Sequence, residues 1–208
     1  GLGVSGKRGA FDPFSTGTGD LRGATPLWVA AAAANGAGRG NGAMAAVEAI
    51  KLLLAAGADA NATTADGTTV LMAAAGLGRA SYQPGALRGT RSPSAETAVR
   101  VLVEAGAQVN ATNEAKFTAL HAAAFRGLNE VIEYLVAHGA AIDAADFRNR
   151  TPYRLAQSSQ QGFRVQAWPE TATLLQTLGA NTTLGVDGRD LERELARQKP
   201  GAAASAPR

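Results

Sequence analysis

The sequence predicts an all-α solenoid of about four helix-turn-helix units, with hairpin-like connectors between units and insertions between the two helices of a unit. Three observations predict it. A helix start recurs at Thr25-Pro26-Leu27, Thr69-Val70-Leu71, Thr118-Ala119-Leu120 and Thr151-Pro152-Tyr153. Apolar helices close on Gly57-Ala58, Gly106-Ala107, Gly139-Ala140 and Gly179-Ala180. From each closing Gly to the next Thr the count is 12 every time (57 to 69, 106 to 118, 139 to 151). Loops drift freely in length, so an unvarying connector joined to a recurring helix start implies stacked identical units. Such a stack offers a long surface for gripping a partner in place of a closed pocket.

Each element follows from local chemistry. Threonine caps the opening helix, and a proline just after it suits the first turn, where its missing N–H costs nothing. Small residues such as Ala122, Ala123 and Ala124 let that helix lie close to its neighbours. Leucine, valine and isoleucine at spacings of three and four give the second helix a buried stripe, as in Val131, Ile132 and Leu135. The Gly that follows can take the left-handed conformation that ends a helix.

The units differ by insertion. From Thr118 to Thr151 is 33 residues, whereas Thr25 to Thr69 is 44 and Thr69 to Thr118 is 49. Because the connectors stay constant, the extra residues fall between the helices of their own units. The first insertion is the glycine-rich stretch from Gly36 to Gly42, and the second runs from about Gly76 to Ser92. Ser92-Pro93 then reads as a cap and first-turn proline. A third extension, Ser158 to Trp168, ends at another helix start, Pro169-Glu170. Long loops inside compact repeats are often functional.

These residues resemble the ankyrin repeat. The third unit fits best: Thr118-Ala-Leu-His121-Ala-Ala-Ala, then Gly127, Val131-Ile132-Glu-Tyr134-Leu135-Val136 and His138-Gly139-Ala140. Its 33-residue length is the ankyrin period. The resemblance covers about residues 21–181, as units 21–59, 65–110, 114–143 and 147–181. It implies an ankyrin-repeat solenoid that binds protein. Gly23-Ala24-Thr25-Pro26, Asp66-Gly67-Thr68-Thr69-Val70-Leu71-Met72 and Pro169-Glu170-Thr171-Ala172 are similar to bacterial multi-ankyrin proteins, many of them exported. That likeness favours a periplasmic or extracellular setting over a cytoplasmic one.

Composition and motifs exclude several classes. The 208 residues contain no cysteine, so there is neither a disulfide scaffold nor a thiol site. The longest apolar run, Leu27 to Ala34, is far short of the roughly 20 residues that cross a bilayer. Gly1-Leu-Gly-Val-Ser-Gly6-Lys7-Arg8 matches a phosphate loop except that Arg8 replaces the magnesium-binding Ser or Thr, and no strand precedes it. There are two histidines. His121 occupies the position where the family uses an imidazole for hydrogen bonds within and between repeats, and His138 sits in a last helical turn. Neither has a cysteine or paired acid at metal spacing, so no metal site and no cofactor is expected. Glu130 and Glu133 read as a solvated face, and no Gly-x-Ser-x-Gly elbow occurs. Catalysis is unsupported. Asn-x-Thr triplets at Asn61, Asn110 and Asn181 each follow a Gly-Ala pair and read as turn residues.

The two ends differ. Residues 1–22 form a Gly-rich segment, expected as the remnant of an upstream repeat, and the helix after Thr25 is apolar on every side. Terminal repeats need a polar outer face, so upstream repeats or a partner are expected to cover it, as in the C-terminal part of a longer protein. Asp187 to Gln198, with Leu191 and Leu195 among charges, reads as a capping helix; residues 199–208 read as a disordered tail.

The resemblance implies binding through the hairpin tips before each Thr and the end of the first helix. Carried onto this chain, those positions are Asp66, Thr68 and Leu77 in the second unit and Glu114, Phe117, Phe125 and Arg126 in the third. In the fourth unit they are Phe147, Arg148 and Arg150. Lys116 and Asn149 replace the usual tip glycine, and the phenylalanines beside the arginines are expected to be exposed anchors. Trp28 and Arg154 replace the family's histidine, which puts the inter-repeat hydrogen bonds of the first and fourth units in doubt. The net charge is +3, and the stretches 67–95 and 147–169 hold arginines without acids. Arginines with few lysines and no aromatic ladder point to a protein partner with an acidic or mixed surface, not to nucleic acid. The alternative is a ligand or enzyme-accessory site in loops 76–92 and 158–168, around Tyr82, Arg88, Arg91, Arg164 and Trp168.

Overall fold

A computed structural model describes residues 21–35, 42–77, 91–157, 159–161 and 164–186. In unit one α1 is Pro26–Ala34 and α2 is Gly42–Ala55; in unit two α3 is Val70–Ala74 and α4 is Pro93–Glu104. Unit three pairs α5 (Ala119–Arg126) with α6 (Asn129–Ala137), and unit four pairs α7 (Pro152–Gln157) with α8 (Pro169–Thr177). First helices pack in the order α1, α3, α5, α7, and second helices in the order α2, α4, α6, α8. The fold is the all-α solenoid that the spacing predicts.

The extension in unit four is not plain loop. It holds a hairpin of β1 (Ser159–Gln161) and β2 (Arg164–Gln166), paired antiparallel with Ser159 opposite Gln166. The sequence signal for it was there to read: Gly162-Phe163 between the strands has glycine first, as tight two-residue hairpins favour. The expected capping helix from Asp187 to Gln198, the expected tail and most of the Gly-rich N-terminal segment lie outside the described residues, as does the bulk of the two glycine-rich insertions.

Each of the 12 connector positions has structural work to do at fixed intervals. The closing Gly residues have φ of 87, 89, 83 and 101°, all left-handed. In unit two the Ala107 N–H donates to the Leu102 carbonyl at 3.0 Å and the Gly106 N–H to the Val103 carbonyl at 3.0 Å, and the other three units repeat this pair. That is the double hydrogen bond of a Schellman end, which explains why a small apolar Ala follows every Gly.

Four residues after the Gly, Asn61 reaches into the next unit. Its Nδ2 donates to the Gly106 carbonyl (3.1 Å), and its Oδ1 accepts from the Gln108 N–H (2.8 Å). Asn110 does the same with Gly139 and Ala141, both at 2.8 Å. In the third connector Asp143 accepts from the Asn181 N–H at 2.9 Å. Asn181 itself follows its Gly by two residues and is not equivalent to Asn61 and Asn110; its Oδ1 accepts locally from Thr183.

At the end of the connector the threonines cap as expected. Thr25, Thr69, Thr118 and Thr151 accept from the N–H groups of Trp28, Met72, His121 and Arg154 at 3.1 to 3.3 Å. The core runs continuously between the two helix layers. It includes the alanines of the first helices (Ala31, Ala73–Ala75, Ala122–Ala124, Ala156) and the stripes Val99 and Leu102, Ile132 and Leu135 of the second.

Candidate functional site

The hairpin tips are where the fold puts unusual backbone and most of the arginines considered for binding. Each tip is closed by a short-range polar cap. In unit three the Asn113 Oδ1 accepts from the N–H groups of Ala115 and Phe117, both at 3.0 Å; in unit four the Asp146 Oδ1 accepts from Arg148 (2.9 Å) and Arg150 (2.8 Å). Unit two has Thr64 at that place and moves the carboxylate two residues on. Asp66 there accepts from the Thr64 hydroxyl, the Thr68 N–H and the Thr68 hydroxyl. The turn forces a left-handed residue two before each capping Thr: Gly67 at φ 77°, but Lys116 at 56° and Asn149 at 58°.

Tips are laced to one another through the backbone. The Ala65 N–H donates to the Arg22 carbonyl (2.8 Å), Glu114 to Asp66 (2.9 Å) and Phe147 to Ala115 (3.0 Å). Consecutive tips are therefore held in one fixed row, which makes them a preorganised surface for contacts.

Side-chain placement corrects the expected contact set. Phe117 and Phe125 are not exposed anchors; both are buried, at 1% and 4% exposure. Phe117 stacks obliquely on His121 at 5.3 Å and lies under the Arg150 guanidinium at 5.6 Å. Phe125 belongs to the core beside Trp168, whose indole N–H donates to its carbonyl at 3.0 Å. A large apolar ring next to a well-packed neighbour unit gains more by burial than by facing water.

Asp66, Thr68, Leu77 and Arg150 are buried as well. Asp66 and Thr68 are consumed by the tip cap. Arg150 forms a buried pair with Asp146, through Nε at 2.7 Å and Nη2 at 2.7 Å, and offers no charge to a partner. The expected residues that do reach the surface are Glu114 and Phe147, with Arg126 and Arg148 half-buried. Phe147 is 41% exposed, and the Arg148 guanidinium lies over its ring at 5.0 Å.

Inward acids leave an outward base. Asp66 and Asp146 point into the tips, while Arg22, Lys116, Arg148 and Arg126 border Glu114 along the outer row. The sequence pattern missed this because it counts charges without their direction.

The two histidines have structural roles. The His121 Nδ1 accepts from the Thr118 N–H at 3.2 Å, completing a capping box, so its Nε2–H donates to the Arg150 carbonyl of the next unit at 3.2 Å. Burial pushes this imidazole down to about 4, against the opposing pull of the Asp146 carboxylate. His138 is exposed and bonds the Tyr134 carbonyl in its own helix at 2.8 Å.

The doubt over Trp28 and Arg154 is also corrected. The Trp28 Nε1–H donates to the Thr68 carbonyl at 3.2 Å, the same place one unit earlier that His121 reaches, and the Arg154 Nε donates to the Leu184 carbonyl at 2.9 Å.

The alternative loop site loses two members to structure. Trp168 is buried, and its ring packs so closely on Gly127 that an added Cβ would lie 2.7 Å from Cδ2. Arg91 bridges Glu96 (2.6 Å) and Glu130 (2.8 Å), tying α4 to α6. Tyr82, Arg88 and the Arg164 side chain lie outside the described residues. Among the described residues no cluster of metal-ligating side chains occurs, and no helix is long and apolar enough to cross a membrane.

A stack of helix pairs, capped by threonine and laced by hairpin tips, defines a repeat protein with an extended surface. The chain belongs to the ankyrin repeat family. The family profile for ankyrin repeats (many copies) matches residues 102–156, and the profile for a single ankyrin repeat matches residues 22–65. The stretch between these matches contains the long insertion of unit two. No match is found among curated proteins. Ankyrin repeats generally mediate protein–protein interaction, and proteins built from them are typically non-enzymatic binding modules.

Proposed function

We propose that this chain is a non-catalytic module, an accessory or structural subunit that grips a protein partner along its row of hairpin tips. The observation that carries this reading is the direction of charge and apolar surface at the tips. The carboxylates of Asp66 and Asp146 are turned inward, while Phe147 stands exposed under Arg148 beside Lys116 and Glu114. An aromatic flanked by guanidinium groups on a rigid row is a common form of interface anchor. The excess of base over acid on that row favours a partner with an acidic or mixed protein surface.

Capture from native extract tests the reading, with the chain compared against a double variant, Phe147→Ala with Arg148→Glu. Both positions lie at the surface, so the variant keeps its fold, checked by circular dichroism. A stoichiometric protein captured by the unchanged chain and lost by the variant supports the tips as the binding surface. Equal capture by both contradicts it.

A further inference from the structure

The leading end of the stack carries a surface that the fold buries everywhere else. Val29 lies four residues after its capping Thr, and the equivalent Ala73, Ala122 and Leu155 are completely buried. The preceding first helix packs on them in each case. Ala74, Ala123 and Ala156 are buried in the same way, as are Val70, Ala119 and Pro152. In unit one the matching residues open outward: Val29 is 46% exposed, Pro26 is exposed and Ala30 is half-buried. The outer stripe of α2 adds Met44 at 48% and Leu52 at 71%. Terminal repeats ordinarily carry a polar outer face, and a contiguous exposed apolar patch marks an interaction site.

Two candidate coverings are disfavoured. A preceding unit on the ordinary connector would need its closing Gly 12 residues before Thr25, where Pro13 stands, and Gly1, Gly3, Gly6 and Gly9 would fall in its second helix. The trailing end of a second copy is already occupied by its own chain. There the Val186 N–H donates to the Asn149 carbonyl (2.9 Å), Arg154 bonds Leu184, and a Cβ on Gly185 would come within 3.0 Å of the Asn149 oxygen.

We propose that the leading face of unit one pairs with the same face of a second copy of this chain, as a two-fold dimer. Two features make the face self-complementary. Helix α1, PLWVAAAAA, carries no charge, so two copies meet there without repulsion. On α2 the exposed Glu48 and Lys51 stand three residues apart. Antiparallel apposition of two α2 helices about a point between these residues sets Glu48 of each copy against Lys51 of the other. The row of hairpin tips remains free, so the dimer does not depend on the binding role assigned above.

Light scattering of the full chain over a dilution series tests this. The expected result is a mass of two chains at high concentration that falls to one on dilution. Val29→Glu with Leu52→Glu gives one chain throughout, with unchanged circular dichroism. Glu48→Lys weakens the dimer by about tenfold, and Glu48→Lys combined with Lys51→Glu restores it. A single-chain mass at every concentration overturns the proposal. So does a dimer that survives the Val29→Glu, Leu52→Glu pair, or a charge swap that fails to restore it.

Discussion

At the scale of single residues, His121 couples stability to pH. Its folded form holds the imidazole neutral, with a value pushed down to about 4 from the ordinary 6.5. The unfolded chain therefore binds the extra proton between those values. Stability is complete above pH 6.5 and falls as the pH drops toward 4, by about 3 kcal/mol in total. Denaturant unfolding of the chain from pH 7 to pH 4 should show this fall, and a His121→Gln variant should lose most of the slope. Lys116 offers the opposite sign. It sits at φ 56°, a left-handed conformation that costs a side-chain-bearing residue about 1 kcal/mol. Lys116→Gly should raise the unfolding midpoint by about 0.5 to 1 kcal/mol, whereas Asn149→Gly gains less because asparagine tolerates that region. The sequence displayed both features: a histidine on the Thr-x-x-His pattern, and non-glycine residues where a tip glycine belongs. It did not display the direction of Phe117, since an aromatic beside a turn reads equally as anchor or core until its neighbours are placed.

At the scale of elements, the constant 12-residue connector proved the most legible feature, and the reason is physical. A helix end, an inter-unit staple, a tip cap, a left-handed turn residue and a helix cap occupy fixed positions in it, so no residue can be added without breaking one. The staple makes a graded prediction. Asn110→Ala removes two bonds to unit four and should cost about 1 kcal/mol. Asp143 accepts from Asn181 but cannot donate as Asn61 and Asn110 do. Asp143→Asn should thus supply a donor toward Gly179 and gain up to about 1 kcal/mol in chemical denaturation. The close fit of Trp168 on Gly127 is the firmest contact from the unit-four extension to the stack. Gly127→Ala forces a Cβ into that ring at a φ of 69° and should cost about 2 to 4 kcal/mol, read as a lowered Tm. The hairpin of β1 and β2 escaped the periodicity because three-residue strands are too short to show alternation.

At the scale of the whole molecule, the sequence revealed the stack, its four units and the kind of surface such a stack presents. It could not sort that surface, because charge and aromatic content do not say which side chains the tips turn inward. Asp66, Asp146 and Arg150 fold into the tips, Phe117 and Phe125 into the core, and Glu114, Phe147 and Arg148 remain to meet a partner. This partition predicts a separation of effects. Phe117→Ala should cost about 3 to 5 kcal/mol of stability, whereas Phe147→Ala should stay within about 0.5 kcal/mol and act on binding alone. The most direct test uses the absence of native cysteine. A photo-crosslinker is attached to Glu114→Cys on the tips, or to Glu104→Cys at the exposed end of α4, and each chain is irradiated in native extract. Crosslinking of one protein from position 114 and not from position 104 is the predicted result. The same yield from both, or capture from position 104 alone, would contradict the assignment of the tips as the binding surface.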